Sequence, residues 1–368
     1  MNIYKSALIL AGVCLLASLS MLFGGNYEIG APLLIAFFVA LSVGFRGNPV
    51  LKGFAFTMII FAVVVAALQY PSSFIEYDGY KFTKLITPLI QIIMFGMGTE
   101  MSLGDFKGVV KTPKAVLIGL TGHFTVMPLL GFSLAKLFHF PPEIAAGVVL
   151  IGSMPCGLAS NVMSYLANAN LALSVTLTAV ATLLAPFITP LWMSYLGGQF
   201  VKVDALAMML DIVKVVIIPI GGGLLFNRFF KGKADWLDKA MPILSMFGIA
   251  CVIVIIVAGG RDKLIVIGPA LIICAFIHNS GGYMFGYWTA RLFGLVERDC
   301  RTIAIEVGMQ NGGLASSLAV SMGKPATIGL ASAVFSPIMN ITGSILASYW
   351  HRKPPKDIVL KDEVVIPT

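Results

Sequence analysis

Glu306-Val307-Gly308-Met309-Gln310-Asn311-Gly312-Gly313-Leu314-Ala315-Ser316 is the stretch whose reading decides the fold. It interrupts an apolar segment, Ile303 to Met322, that is about as long as a bilayer-spanning helix, ~20 residues. A carboxylate, two amides and three glycines facing lipid would be costly. An ionisable residue at that depth therefore points to a functional site. Glycines at 308, 312 and 313 weaken the helix and permit irregular backbone, which membranes tolerate only where it is buried in protein or lines a cavity.

Working outward, a second stretch has the same character. Ser153-Met154-Pro155-Cys156-Gly157-Leu158-Ala159-Ser160-Asn161 also breaks an apolar segment, and Gly-Leu-Ala-Ser occurs in both. Paired Gly/Pro-interrupted segments in corresponding places of two halves mark the binding site of a transporter built from repeats.

The composition agrees. The chain has 368 residues, 58% hydrophobic and 11% charged, against roughly 25% charged in soluble domains. It reads as an integral membrane protein, all-α and polytopic. Five cysteines, mostly within apolar segments and without regular spacing, read as small buried side chains rather than disulfides or a metal site.

Twelve apolar runs follow, at 6–23, 29–45, 51–69, 84–101, 112–137, 143–166, 170–196, 206–228, 240–259, 265–294, 302–322 and 326–350. The first resembles a signal peptide in outline, with Lys5 ahead of it, but it is expected to be retained as a helix. Seventeen of the 25 Lys and Arg fall on the side of the N-terminus. The other eight are Lys81, Lys84, Lys136, Lys202, Lys214, Arg261, Lys263 and Lys324. This bias predicts cytoplasmic termini and an even number of spans in a cell (inner) membrane. It also accounts for the net charge of +8 without nucleic acid as a partner; the bilayer is the surrounding medium.

An internal repeat organises these spans. His123 and His278 are 155 residues apart, and Ala135-Lys136-Leu137-Phe138 matches Ala290-Arg291-Leu292-Phe293 at the same offset. Gly157-Leu158-Ala159-Ser160 matches Gly313-Leu314-Ala315-Ser316 at 156, and Pro186 matches Pro337 at 151. The copies lie five spans apart, so they insert with opposite orientation. The expected fold is an inverted five-plus-five repeat with crossing discontinuous helices, preceded by two extra helices in residues 1–50.

Glu306 is the carboxylate placed nearest a bilayer centre, with no Lys or Arg at its depth. One reading is a structural carboxyl, neutral or paired with a buried base. The other is a coupling-cation site, for which Ser160, Asn161, Ser174, Thr178, Gln310 and Asn311 offer oxygen ligands suited to a hard cation. Ser174 and Thr178 are spaced i, i+4 and share a helix face. By themselves they would more commonly bond the preceding turn. Two helix N-termini are expected near Leu158 and Leu314, where positive dipole ends and free N–H groups suit an anion. His123 is either a hydrogen-bonded core residue or a neighbour of the ion site, and His278-Asn279 holds the equivalent place. Asp211 and Lys214 are expected to pair. No His-Glu-x-x-His motif or paired aspartates appear, so an enzyme is not expected and no catalytic residue is assigned.

Residues 157–167, Ala172-Leu173-Ser174-Val175 and 306–315 resemble the bile acid:sodium symporter family in its bacterial form. So do Met94-Phe95-Gly96-Met97-Gly98, Leu103-Gly104-Asp105-Phe106 and Asn340-Ile341-Thr342-Gly343-Ser344. The resemblance covers about residues 51 to 350. It implies a panel at 51–110 and 201–262, a core at 111–200 and 263–350, and a cytoplasmic tail at 351–368. It further implies two sodium ions. One would be held by Ser160, Asn161, Ser174, Thr178 and Glu306. The other would lie among Glu306, Val307, Met309 and Gln310, with His123 standing where the family has a Gln. Substrate contacts are implied at Leu158, Ala159, Asn161, Asn311 and Asn340. Leu158 and Met339 stand where bacterial relatives often have Thr and His, which makes the pocket more apolar. The function implied is sodium-coupled symport of an organic anion, such as a bile acid, pantoate or a keto acid, by alternating access. The rival reading is proton coupling through Glu306 and His123.

Overall fold

The computed structural model describes residues 2–48, 51–102, 104–105, 107–230 and 235–355. The tail from residue 356, with Lys356 and Lys361, lies outside the described residues, as do Leu103, Phe106, Lys231 and Lys233. In chain order the helices are α1 (Ile3–Phe23), α2 (Tyr27–Phe45), α3 (Ala55–Gln69), α4 (Ser72–Ile75), α5 (Ile86–Glu100) and α6 (Lys107–Lys111). Next come α7 (Pro113–Leu137), α8 (Pro142–Gly152), α9 (Ala159–Leu166), α10 (Leu171–Tyr195), α11 (Ala205–Ile212) and α12 (Ile218–Phe230). The series ends with α13 (Asp235–Gly259), α14 (Arg261–Leu292), α15 (Glu297–Gly308), α16 (Gly312–Ser321) and α17 (Ile328–His351). Among the described residues the sheet is a single two-stranded hairpin, Glu76–Tyr77 with Tyr80–Lys81.

Among the described residues ten helical segments are long and apolar enough to cross a membrane. Two further crossings are made by broken pairs, α8 with α9 and α15 with α16. This is the all-α polytopic architecture that the apolar runs predict. Starts and stops follow local chemistry. Asn26, Asn170 and Asp204 cap α2, α10 and α11 by accepting the N–H of the third residue onward, at 3.3, 3.2 and 2.9 Å. The α1–α2 turn passes through Gly25 at φ +78°, a conformation glycine adopts without a Cβ penalty.

Burial sorts the spans. Only 17% of the α1 window is buried, against 56% for α10 and α17, so α1 lies at the periphery and the latter two inside. One row runs α2, α3, α13, α5, α12, each packed on the next. In that row α5 and α12 approach at backbone distance: a Cβ on Gly98 would sit 2.2 Å from the carbonyl oxygen of Ile220, and one on Gly223 2.2 Å from that of Phe95. Small residues permit such contact where lipid supplies no hydrophobic drive. α1 and α4 attach to this row through α2 and α13; the remaining helices gather around α7, α14, α15 and α17, and α16 touches the row through α5 and α13.

Helix starts differ from the apolar runs where charged residues extend them. The run at 302–322 begins five residues earlier, because Glu297 and Arg301 pair at i, i+4 with N–O 2.8 Å and extend α15. Asp211 and Lys214 form no ion pair, correcting that expectation. A π-turn at Val213–Ile217 widens the backbone just after α11 and rotates Lys214 off the face of Asp211.

Candidate functional site

The site is built where the two breaks meet. Break one is 153–158, opened by Pro155, which has no N–H to continue a helix. Break two is Met309, Gln310 and Asn311, after Gly308. They run antiparallel across each other: Cys156 bridges Gln310, and the Asn311 N–H donates to Pro155 O at 2.8 Å. On one side of this crossing α8 packs on α16, and on the other α9 packs on α15. The first half of one broken span therefore lies beside the second half of the other, as opposite insertion requires.

A broken helix leaves its last carbonyls unpaired, and burial makes each one costly. Here they are satisfied partly by the next residues and partly by side chains from far along the chain. At the end of α15, Ile305 O accepts from Met309 N at 3.0 Å, and Val307 O from Gln310 Nε2 at 2.8 Å. Gly308 O accepts from Asn279 Nδ2 at 2.7 Å. Past α8, Ser153 O accepts from Thr189 Oγ1 at 2.7 Å. His123 serves both breaks. Its Nδ1 lies 3.0 Å from Glu306 O, and its Nε2 lies 2.8 Å from Met154 O. His278 does not reach the crossing; its Nε2 lies 2.9 Å from Met127 O, and its ring stacks edge-on against Phe335.

The side-chain oxygens are another matter. Glu306 is 1% exposed, takes part in no ion pair, and sits in the last turn of α15. Ser174 Oγ lies 2.5 Å from Glu306 Oε1, and Thr178 Oγ1 lies 2.9 Å from Oε2. Both hydroxyls also face Asn161 Oδ1, at 2.8 and 3.3 Å. Ser160 Oγ, 3.4 Å from Thr178 Oγ1, donates its proton to Gly157 O at 2.7 Å. A hydroxyl has one proton to give. The hydroxyls of Ser174 and Thr178 and the thiol of Cys156 all reach Glu306, while the proton of Ser160 is committed to the backbone. The cluster is rich in oxygen, and with Glu306 ionised it offers a hard cation both oxygen ligands and a countercharge. Among the described residues no three His, Cys, Asp or Glu converge in the way a transition-metal site requires.

The remaining expected residues divide. Ser160, Asn161, Ser174, Thr178 and Glu306 converge. Val307 O is occupied by the amide nitrogen of Gln310, which leaves Gln310 Oε1 buried without a partner. Met309 is fully buried at the turn out of α15. The second helix N-terminus begins at Gly312 rather than near Leu314. Asn311 caps it by accepting the Leu314 N–H at 3.0 Å, a role its amide oxygen fulfils and a leucine cannot. The N–H groups of Leu158, Ala159 and Gly313 have no acceptor among the described residues. Asn340, half-buried on α17, likewise has no hydrogen bond there.

Sequence reading missed Arg301. It is 5% exposed, pairs with Glu297, and donates to Ala167 O, Trp350 O and Lys353 O at 3.3, 3.2 and 2.8 Å. It thereby ties the start of α15 to the ends of α9 and α17. The available signal was its i, i+4 spacing from Glu297. On the opposite face Glu143, at the start of α8, pairs with Lys324 after α16.

Two discontinuous helices of opposite direction, crossing at a lone buried carboxylate, define the inverted-repeat class of membrane transporters. The model of the sodium bile acid symporter family matches residues 87–267. The chain belongs to that family, whose members are transporters rather than enzymes. It is 39% identical over 303 residues to an uncharacterized sodium-dependent transporter, YocS, of Bacillus subtilis (strain 168), covering 82% of this chain and 92% of that one. It is 35% identical over 270 residues to the probable chloroplastic sodium/metabolite cotransporter BASS1 of Arabidopsis thaliana, covering 73% of this chain and 67% of that protein. The rice protein of the same name is 36% identical over 278 residues, covering 74% and 68%.

Proposed function

We propose that this chain is a sodium-coupled symporter that carries an organic anion across the cell (inner) membrane, with both termini cytoplasmic. The observation that carries the reading is the buried oxygen cluster of Asn161, Ser174, Thr178 and Glu306, whose carboxyl takes part in no ion pair. Sodium is a co-substrate there. It would take Glu306, Asn161, Ser160, Ser174 and Thr178 as oxygen ligands, and the orphaned Gln310 Oε1, with Val307 and Met309 nearby, suits a second ion. His123 binds the two broken backbones to each other and stays with the scaffold. The names of the relatives, sodium-dependent transporter and sodium/metabolite cotransporter, agree with this assignment.

The substrate is a carboxylate-bearing metabolite. Free N–H groups at Leu158 and Ala159, at the positive end of α9, and at Gly313, at that of α16, suit a carboxylate. Asn161, Asn311 and Asn340 supply polar contacts, while Leu158 and Met339 favour an apolar body such as that of a bile acid, pantoate or a branched keto acid. Alternating access moves the core (111–200 and 263–350) against the panel (51–110 and 201–262). Each sodium entering down the membrane potential contributes ~2.3 kcal/mol per 100 mV.

The test is uptake of labelled organic anions into proteoliposomes under a sodium gradient, with a potassium control. Uptake that requires sodium and is abolished by Glu306→Gln is the expected result. Uptake that persists in potassium and collapses with a protonophore would overturn it in favour of proton coupling through Glu306 and His123.

A further inference from the structure

The two N-terminal helices stand outside the repeat, and a groove of about 930 Å³ gives them a role. It lies between the α1–α2 hairpin, α3 and α13, on the periphery of the molecule. Its two long walls are helical stripes, positions 55 to 66 of α3 and 243 to 254 of α13, both apolar. Eleven steps at ~1.5 Å per residue make a slot about 16 Å long, which is half of the ~30 Å hydrocarbon core and so one leaflet deep.

The ends of the slot differ. At the N-terminal face it is closed by Arg46, Lys52 and Tyr4, and at the far end by Phe74. Among the described residues Arg46 and Lys52 form no ion pair, and no acidic side chain lines the slot. Arg46 is placed by the hairpin, since it directly follows α2, while Lys52 leads into α3. Tyr4 of α1 packs where a Cβ on Gly47 would sit, 2.5 Å from its own Cβ, and so holds the hairpin wall beside the cations.

We infer that this groove binds one anionic phospholipid of the leaflet on the N-terminal face, its acyl chain between α3 and α13 and its phosphate between Arg46 and Lys52. A one-leaflet apolar slot ending in two unpaired cations complements the shape and charge of such a lipid. Basic pockets between spanning helices on the cytoplasmic side bind anionic head groups for the same reason. The hairpin thus acts as the outer wall of a lipid site, independently of the ion cluster at the crossing.

The test is native mass spectrometry of the full, delipidated chain titrated with dioleoyl phosphatidylglycerol or dioleoyl phosphatidylcholine. One phosphatidylglycerol should be retained about 30-fold more tightly than phosphatidylcholine, roughly fivefold for each cation. The double variant Arg46→Gln/Lys52→Gln should abolish that preference, and Val63→Trp, which fills the slot and leaves both cations in place, should abolish retention. Should the double variant fail to fold, a salt series on the wild type decides. Shortening the screening length from ~10 Å to ~3 Å should erase the preference. Equal retention of the two lipids, unchanged preference in the double variant, or a dimer that excludes lipid from the slot would each overturn the assignment.

Discussion

Replacing Glu306 by Gln should reverse the order of stability of the two proteins between potassium and sodium. In potassium the carboxylate is buried to 1% exposure, with two hydroxyl donors, the weaker thiol donor of Cys156 and no ion pair. Hydrogen bonds to a charged group are worth about 1.5–3 kcal/mol each, while the effective cost of burying an ion is several kcal/mol. The wild type therefore carries a residual cost on the order of 1–3 kcal/mol, which the isosteric amide removes. In sodium the sign changes. A ligand bound only by the folded state, at 100 times its Kd, stabilises by about 2.7 kcal/mol, and Glu306→Gln forgoes that gain. Cys14, Cys156, Cys274 and Cys300 are free and buried, so a thiol-reactive dye reports unfolding of the native chain. Melting curves in equal concentrations of NaCl and KCl should cross over between wild type and variant. A sodium-specific stabilisation that persists in Glu306→Gln would refute the assignment of the ion to this carboxylate, and so would a wild type that melts identically in the two salts.

The neighbouring residues give graded expectations. Ser174→Ala and Thr178→Val each remove one hydroxyl at the carboxylate, and each should weaken sodium affinity roughly ten- to hundredfold, measured by equilibrium binding of radioactive sodium. His123→Leu removes the single N–H that a neutral imidazole can give to Met154 O or Glu306 O. It should cost about 1–3 kcal/mol, read as a lower melting temperature in potassium, with recovery in His123→Gln, whose amide N–H can serve the same carbonyl. Arg301→Met leaves three carbonyls without their donor and takes one partner from Glu297, which keeps the Tyr287 hydroxyl and some solvent; it should destabilise by about 1–3 kcal/mol. Arg301→Lys should recover only part of this, since a point charge cannot span the four acceptors, and size-exclusion monodispersity after mild heating would rank the three proteins.

Much of the site was legible in the sequence because membranes make certain residues expensive. Glu306 stood out since a lone acid at mid-depth has to be answered by something, and the i, i+4 spacing put Ser174 and Thr178 on one face, which becomes a ligand face only in company with Ser160, Asn161 and Glu306. The breaks were marked by Pro155 and by glycines at 308, 312 and 313. What escaped was decided by contacts between distant segments. That His123 would tie Glu306 to Met154 depends on packing across 183 residues of chain, and nothing local to Gly122-His123 encodes it. The π-turn at Val213–Ile217 undid the Asp211–Lys214 pair, though the sequence there reads as an ordinary apolar helix. The shared Gly-Leu-Ala-Ser motif misplaced the second helix start. Ala159 opens α9 in one copy, while Gly312 opens α16 just ahead of the motif in the other, because Asn311 is the better cap.

The division of labour at the crossing bears on how ion and substrate are coupled. Backbone oxygens at the breaks are held by His123, Asn279, Gln310 and Thr189, so the crossing is a fixed frame. The clustered oxygens sit on three separate elements: Asn161 on α9, Ser174 and Thr178 on α10, and Glu306 on α15. On the reading proposed here, a cation is what holds these three together. Ser160 and Asn161 lie one and two residues past Ala159, whose free N–H is assigned to the substrate on that same proposal. Under it, losing the ion releases the first turn of α9 and disperses the anion site with it. Coupling then needs no long-range pathway, only that ligands for the two solutes occupy one helical turn.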